Sequence, residues 1–253
     1  MKKKIILFVS LLLTTLLISV ALWIYQDLNT IVVKDLSPDK NSLILYIKDG
    51  KTNILFDVGD NERELMIALE KNNLALKDID YILISHKHPD HVCALLSIKP
   101  ELIDKKTKII IDKNVYNEII QEYGDDIKKF NIIQTTKNTD ITKNIIYTKS
   151  MESRAIFEKP HWKVNESFLL IKKSNKLNII TGCAHPKIYT MGEEAKRITQ
   201  LNKIEKFAGG LGGFAKKEAR YINENNIEIY PTHCTHFENN KINKIKQFPI
   251  IIK

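Results

Sequence analysis

Apolar and polar residues alternate along this chain on two periods, and the periods mark out its elements. Ser42 to Lys48 and Asn53 to Phe56 are strand-like runs separated by Asp49-Gly50, a dipeptide that reads as a hairpin turn. Leu65, Met66 and Leu69 then recur at helical spacing behind Asn61, a residue suited to cap a helix, and the pattern fades near Asn72-Asn73. Tyr81 to Ile84 is a short apolar strand that runs into a polar loop. A second helix is expected from His91 to about Ile98, ending before Pro100.

Further strand-like runs lie at Lys108 to Ile111, Ile132 to Gln134 and Ile145 to Thr148, with an amphipathic helix around Val115 to Glu122 between the first two. Ser167 to Ile171 and Leu177 to Thr181 flank Lys173-Ser174-Asn175 as another hairpin. Helices at about Met191 to Asn202 and Ala215 to Asn223 alternate with strands at Ile204 to Phe207 and Ile227 to Tyr230. Meandering strands followed by β-α alternation predict an α+β fold in which two sheets pack face to face with helices outside.

The N-terminus follows neither period. Ile5 to Tyr25 is 21 residues without a charge, preceded by Lys2, Lys3 and Lys4. As a helix it would be about 31 Å long, enough to cross a hydrocarbon core. The leading lysines place the N-terminus in the cytoplasm and the rest of the chain outside, and Trp23 and Tyr25 suit a membrane interface. Ser19-Val20-Ala21 resembles a small-x-small cleavage site, so a signal peptide and a secreted product are the alternative to a membrane anchor. Without a nearby Cys, a lipoprotein is excluded. The expected organisation is residues 1–28 as anchor or signal peptide and residues 29–253 as a folded domain.

A hydrophobic fraction of 43% with only 9 Gly and 7 Pro excludes collagen-like and disordered classes. The net charge of +9 is spread over lysines, with Arg63, Arg154, Arg197 and Arg220 the four guanidinium groups, a poor match to a nucleic-acid binder. No nucleic-acid partner is expected. Cys93, Cys183 and Cys234 are odd in number and widely spaced, so they imply no disulfide framework. Each lies within two residues of a histidine, leaving a metal-proximal role and a small buried residue as alternatives.

The candidate chemistry is concentrated in Ser85-His86-Lys87-His88-Pro89-Asp90-His91, directly after the Tyr81 to Ile84 strand. In extended chain His86 and His88 project to one side, so their imidazoles can converge on one ion. Asp90 and His91, where the chain turns into a helix, can aim at a second point. Imidazole with carboxylate suits zinc, and also iron or manganese, with positions left open for water.

This His-x-His-x-Asp-His motif after a strand resembles the metallo-β-lactamase superfamily, whose members share an αββα sandwich and a binuclear metal site. Leu55-Phe56-Asp57-Val58-Gly59 is similar to the family's Phe-Asp-Thr-Gly segment. Thr181-Gly182-Cys183-Ala184-His185-Pro186 and Pro231-Thr232-His233-Cys234-Thr235 resemble the Gly-Cys-Ser-His and His-Cys-Thr-Gly segments of one branch, which includes dihydropterin-ribofuranosylaminobenzene-phosphate synthase-like proteins. The matches span roughly residues 42 to 236.

The resemblance implies two divalent cations, with His86 and His88 on one and Asp90 and His91 on the other. It adds His233 as the last ligand and His185 as a further one. Cys183 stands where many members carry a bridging aspartate, and is either a thiolate ligand or a buried residue in a tight turn. Asp90 is the implied catalytic group, orienting or deprotonating water. His161 is expected to be a loop residue near the pocket, and His236 is left outside the ligand set.

Two departures bear on the substrate. His91-Val92-Cys93-Ala94-Leu95 lacks the family's small residue and Gly-Gly after the aspartate-histidine pair, and Gly209-Gly210-Leu211-Gly212 lacks the histidine of a Gly-Gly-Phe-His segment. The implied activity is a metal-dependent hydrolase of an ester, lactam or phosphoester-type small molecule. A metal-binding sensor on the same fold and a transferase or synthase like the branch are the alternatives. The Gly209 to Gly213 loop, expected to open a helix at Ala215, offers backbone N–H groups to a phosphate or carboxylate.

Overall fold

The computed structural model describes residues 13–19, 30–37, 41–154, 163–237 and 242–253. After α1 (residues 13–19) and β1 (Ile31–Asp35), the hairpin strands β2 (Leu45–Asp49) and β3 (Thr52–Phe56) pair in antiparallel register, with Gly50 at φ 60° in the turn. Three helix-then-strand units follow: α2 (Glu62–Lys71) with β4 (Tyr81–Ile84), α3 (Pro89–Ser97) with β5 (Lys108–Asp112), and α4 (Lys113–Tyr123) with β6 (Ile132–Thr135). Next come β7 (Thr139–Asp140), β8 (Ile145–Tyr147), β9 (Met151–Arg154), β10 (Lys163–Glu166), β11 (Leu169–Lys173) and β12 (Lys176–Thr181). The remainder comprises α5 (Ile188–Thr199), β13 (Ile204–Gly209), β14 (Gly213–Phe214), α6 (Lys216–Glu224), β15 (Glu228–Pro231), β16 (His236–Phe237) and β17 (Ile250–Ile252).

Seven strands form one sheet in the order β17-β1-β2-β3-β4-β5-β6, and six form a second in the order β15-β13-β12-β11-β8-β7. The period of two decides what each strand buries. Ile54 and Phe56 of β3, Leu83 of β4 and Ile110 of β5 meet Leu169, Ile171 and Ile180 of the second sheet between the two layers. Their neighbours Leu55, Ile82, Ile84, Ile109 and Ile111 point the other way, under α2, α3 and α4. On the far side Leu170, Ile179 and Phe207 pack beneath α5 and α6 with Ile188, Met191 and Ile222. The layers are therefore helix, sheet, sheet, helix, the αββα sandwich expected of an α+β chain.

Local signals set the boundaries. Asn61 caps α2 by accepting a hydrogen bond from the Glu64 backbone N–H at 3.0 Å. Helix α3 begins two residues earlier than its apolar pattern suggests, because Pro89 suits the first helical position, where no N–H is needed. Asp90 and His91 consequently lie in its first turn. Ser174 and Asn175, both at positive φ, close the β11–β12 hairpin.

One expectation is corrected. Among the described residues no helix is long and apolar enough to cross a membrane. The described part of the apolar segment is residues 13–19, which are helical with Leu13, Leu16, Leu17 and Ile18 exposed. The membrane-spanning helix at residues 5–25, the signal segment, and the membrane attachment and outside or secreted location that depend on them are therefore withdrawn. The rest of that segment lies outside the described residues.

Tyr147 ties the two sheets together. Its fully buried hydroxyl donates to the Ile84 carbonyl at 2.7 Å and accepts from the Asp112 N–H at 3.0 Å, joining β8 to the ends of β4 and β5. Tyr147→Phe leaves both backbone groups without this partner. Urea unfolding is expected to show a loss of about 1–3 kcal/mol with an unchanged denaturant slope. A loss below about 0.5 kcal/mol would remove Tyr147 from this role.

Candidate metal centre

The loops at one end of the sandwich carry the chemistry. β4 delivers Ser85 to His88, the first turn of α3 delivers Asp90 and His91, the turn after β12 delivers Cys183 and His185, and the turn after β15 delivers His233 and Cys234. These loops approach closely because glycine permits it. A Cβ on Gly182 would lie 2.2 Å from Ser85 Oγ and 2.9 Å from His86 Nδ1, and one on Gly210 would lie 2.3 Å from the Gly182 carbonyl oxygen.

Two groups of donors result. His86 Nε2 faces His88 Nδ1 at 3.0 Å, and His88 Nδ1 faces His185 Nε2 at 3.3 Å. In the other group His233 Nε2 stands 2.9 Å from Asp90 Oδ2 and 3.0 Å from His91 Nε2. Cys183 Sγ lies 3.3 Å from His91 Nε2 and 3.9 Å from His233 Nε2, and Cys234 Sγ lies 3.9 Å from Asp90 Oδ2. His86, His91 and Cys183 also have donor atoms within 4.8 Å of one another, so the two groups adjoin.

Two buried carboxylates hold these loops. Asp57 accepts from the Ser85 N–H at 2.7 Å and the Ser85 hydroxyl at 2.6 Å, and its Oδ2 pairs with His91 Nδ1 at 2.6 Å. That pairing places the Nδ1 proton on the Asp57 side and turns Nε2 to the centre. Glu166, at the end of β10, accepts from the Thr181 hydroxyl and from the N–H groups of Gly182, Cys183 and Ala184 through Oε1. Its Oε2 accepts from the His185 N–H at 2.8 Å. Both side chains are fully buried.

The electrostatics follow from this packing. Burial, reinforced by the neighbouring imidazoles, pushes His86 well below the ordinary histidine range and His88 down to about 4, so both are neutral with a lone pair to give. Burial opposes charge on His91 as well, but Asp57 outweighs it and raises His91 well above its ordinary value. Burial likewise works against an ionised Asp90, yet hydrogen bonds from His233 and His91 hold its carboxyl well below the usual carboxylate range. Of the two thiols, the hydrogen bond between them and burial push Cys183 up, and the same hydrogen bond pulls Cys234 down.

The donor spacing fits divalent cations. Four ligands arranged tetrahedrally at zinc–nitrogen distances lie roughly 3.3 Å apart, and a nitrogen–sulfur pair roughly 3.6 Å. The observed nitrogen–nitrogen contacts of 3.0–3.3 Å and sulfur–nitrogen contacts of 3.3 and 3.9 Å match that pattern. These clusters of His, Cys and Asp therefore constitute a candidate divalent-metal site.

Comparison with known proteins agrees with this geometry. Residues 38–150 match the family model of the metallo-beta-lactamase superfamily. The structure of Tm1679, a metal-dependent hydrolase of the beta-lactamase superfamily, superimposes with a TM-score of 0.60 at 18% identity, over 88% of this chain and 98% of that one. The chain has the metallo-β-lactamase superfamily fold. The metallo-β-lactamase fold protein YhfI of Bacillus subtilis gives a TM-score of 0.58 at 11% identity, with the same coverage. A relative of this metallo-β-lactamase-fold chain in Methanocaldococcus jannaschii is 24% identical over 228 residues, covering 74% of this chain and 77% of its own. It is a 7,8-dihydropterin-6-methyl-4-(beta-D-ribofuranosyl)-aminobenzene-5'-phosphate synthase.

The fold brings together all seven residues singled out in the sequence: His86, His88, Asp90, His91, Cys183, His185 and His233. His236 is exposed in β16, where its backbone N–H bonds the Gly212 carbonyl, and it is not among the clustered donors. His161 lies outside the described residues. Gly213 belongs to β14, which pairs with β16, so the glycine loop leads into a short strand rather than straight into α6. Cys234, for which the sequence leaves a metal-proximal role and a small buried residue open, joins the donor group, while sequence pattern assigns no role to Asp57 or Glu166. The Phe56-Asp57 segment does carry a signal for Asp57; Glu166 has none.

Glu166→Gln removes the charge that gathers four N–H groups of the Gly182–His185 turn. The expected outcome is a 10–100-fold loss of zinc affinity in a chelator competition assay, with the fold retained by circular dichroism. Unaltered affinity would show that the turn holds its shape without Glu166.

Proposed function

We propose that this protein is a metal-dependent hydrolase acting on a small molecule with an ester, lactam or phosphoester-type bond. In this reading the functional unit spans residues 29–253. His86, His88 and His185 hold one divalent cation, and Asp90, His91, Cys183 and His233 hold the other. The observation that carries the reading is the donor spacing of about 3.0–3.9 Å across two adjoining groups. Imidazole, thiolate and carboxylate together favour zinc, and iron or manganese suit the imidazole and carboxylate donors.

Such cations, when bound, supply Lewis-acid polarisation of a substrate oxygen and an activated water. The chain's own residues prepare that chemistry. Burial keeps His86 and His88 neutral and able to donate their lone pairs. Asp57 fixes the tautomer of His91. Asp90, ionised and only partly buried, keeps Oδ2 at the centre, where it can orient a water or accept its proton. The two loop departures, at Val92-Cys93-Ala94 and at Gly212, support a substrate different from that of the branch.

A synthase reaction is the second reading. It is favoured by the similarity to the dihydropterin-synthase relative and by the resemblance of the segments around Cys183 and Cys234 to the Gly-Cys and His-Cys-Thr segments of that branch. Gly212, standing where the branch has histidine, weighs against it.

The test is direct. Metal analysis of the purified full chain is expected to find one to two divalent ions, with turnover of at least one generic ester, lactam or phosphodiester. His86→Ala combined with His88→Ala should lower the metal content, and Asp90→Asn should slow turnover by about 10²–10⁴-fold. Less than one ion per chain, unchanged by the double substitution, would sink the proposal.

A further inference from the structure

Cys234 is the member of the donor cluster that the family motifs leave without a task. It follows His233 directly, on the turn after β15, and is partly buried. Its backbone stands at φ 55°, in the left-handed region that a residue with a Cβ adopts only with strain. In extended chain, side chains at consecutive positions point to opposite faces. Here both His233 and Cys234 reach the same carboxylate, His233 Nε2 at 2.9 Å and Cys234 Sγ at 3.9 Å from Asp90 Oδ2. The donor atoms of Asp90, Cys183, His233 and Cys234 all lie within 4.8 Å of one another. No disulfide joins the two cysteines.

We infer that Cys234 is a second sulfur donor, acting with Cys183, Asp90 and His233, so that the proposed centre has one sulfur-bearing half and one all-imidazole half. The inference rests on the metal-dependent reading above. Its chemical content is a difference between the halves. Thiolates favour soft and borderline-soft ions such as cadmium and zinc, whereas His86, His88 and His185 are equally suited to iron, nickel or zinc. The halves also differ in charge, since thiolate and carboxylate donors are anionic and the three imidazoles are neutral. A soft ion should therefore load the Asp90 half first.

Cadmium titration of the metal-stripped full chain, followed by near-ultraviolet absorbance, reads the sulfur donors without reference to activity. The wild-type chain is expected to develop a sulfur-to-cadmium charge-transfer band that saturates near one equivalent. Cys183→Ser and Cys234→Ser should each leave about half of its intensity, and the double substitution should abolish the band while cadmium still binds to the imidazole half. Circular dichroism checks that each variant is folded, and the wild-type band is informative without any variant. Full intensity in folded Cys234→Ser, or cadmium bound to the wild-type chain with no sulfur band, would overturn the role of Cys234 and leave the hydrolase proposal standing. Failure of the wild-type chain to bind cadmium, zinc or manganese would overturn both.

Discussion

Buried carboxylate charge is the constraint around which this end of the molecule is organised. An ionised carboxylate withdrawn from water is tolerable only when its oxygens are supplied with donors. Asp57 and Glu166 meet that condition by drawing on separate loops. Asp57 gathers Ser85 and His91, from either side of the turn between β4 and α3. Glu166 gathers the whole of Thr181 to His185. A further link joins the two groups, since the Ser167 N–H bonds the Ser85 carbonyl at 2.8 Å. The histidines are thus oriented by what lies behind them, so their convergence is built into the polypeptide.

The sheets supply the rigid frame for that arrangement. β4, β12 and β15 all end beside the cluster, and β4 and β12 are flanked on both sides by strands of their own sheets. The side chains of these two central strands are buried on both faces, which reads in sequence as the apolar run Tyr81 to Ile84 and as Leu177, Ile179 and Ile180 around a single buried Asn178. The residues that make the frame stiff are therefore the same ones that make its strands easy to recognise.

What can be read from the chain, and what cannot, divides by range. Hairpins at Gly50 and at Ser174-Asn175, the Asn61 cap and the amphipathic helices depend on neighbouring residues, and their signals are local. The His86 to His91 motif is legible for the same reason. β1 and β17 offer only the short β-branched runs Ile31-Val32-Val33 and Ile250-Ile251-Ile252, and their pairing is hidden because each is held by partners distant in sequence, as in the Ile31 to Ile252 register. Glu166 is invisible because a lone glutamate in Lys-Val-Asn-Glu looks like an exposed strand position until the turn after β12 is folded over it. Cys234 is legible only as metal-proximal, because alternation places it opposite His233 and only a positive φ brings both to one side. The N-terminal segment misleads differently: a run of apolar residues states what a segment could do in lipid, and composition alone carries that expectation.

The pairing of β17 with β1 has a consequence for how the protein is made. β1 lies between β2 and β17, so the outermost strand of the first sheet is formed by residues 250–252, more than two hundred positions downstream of the strand they cover. Until those residues leave the ribosome, β1 presents an unpaired edge of backbone N–H and C=O groups, with Ile31 and Val33 on the face that will become the interior. Contacts of such long range form late and slowly. The nascent chain therefore passes through a stage in which most of the first sheet can assemble while one border stays open to a foreign strand, until residues 250–252, made long after β1, close it.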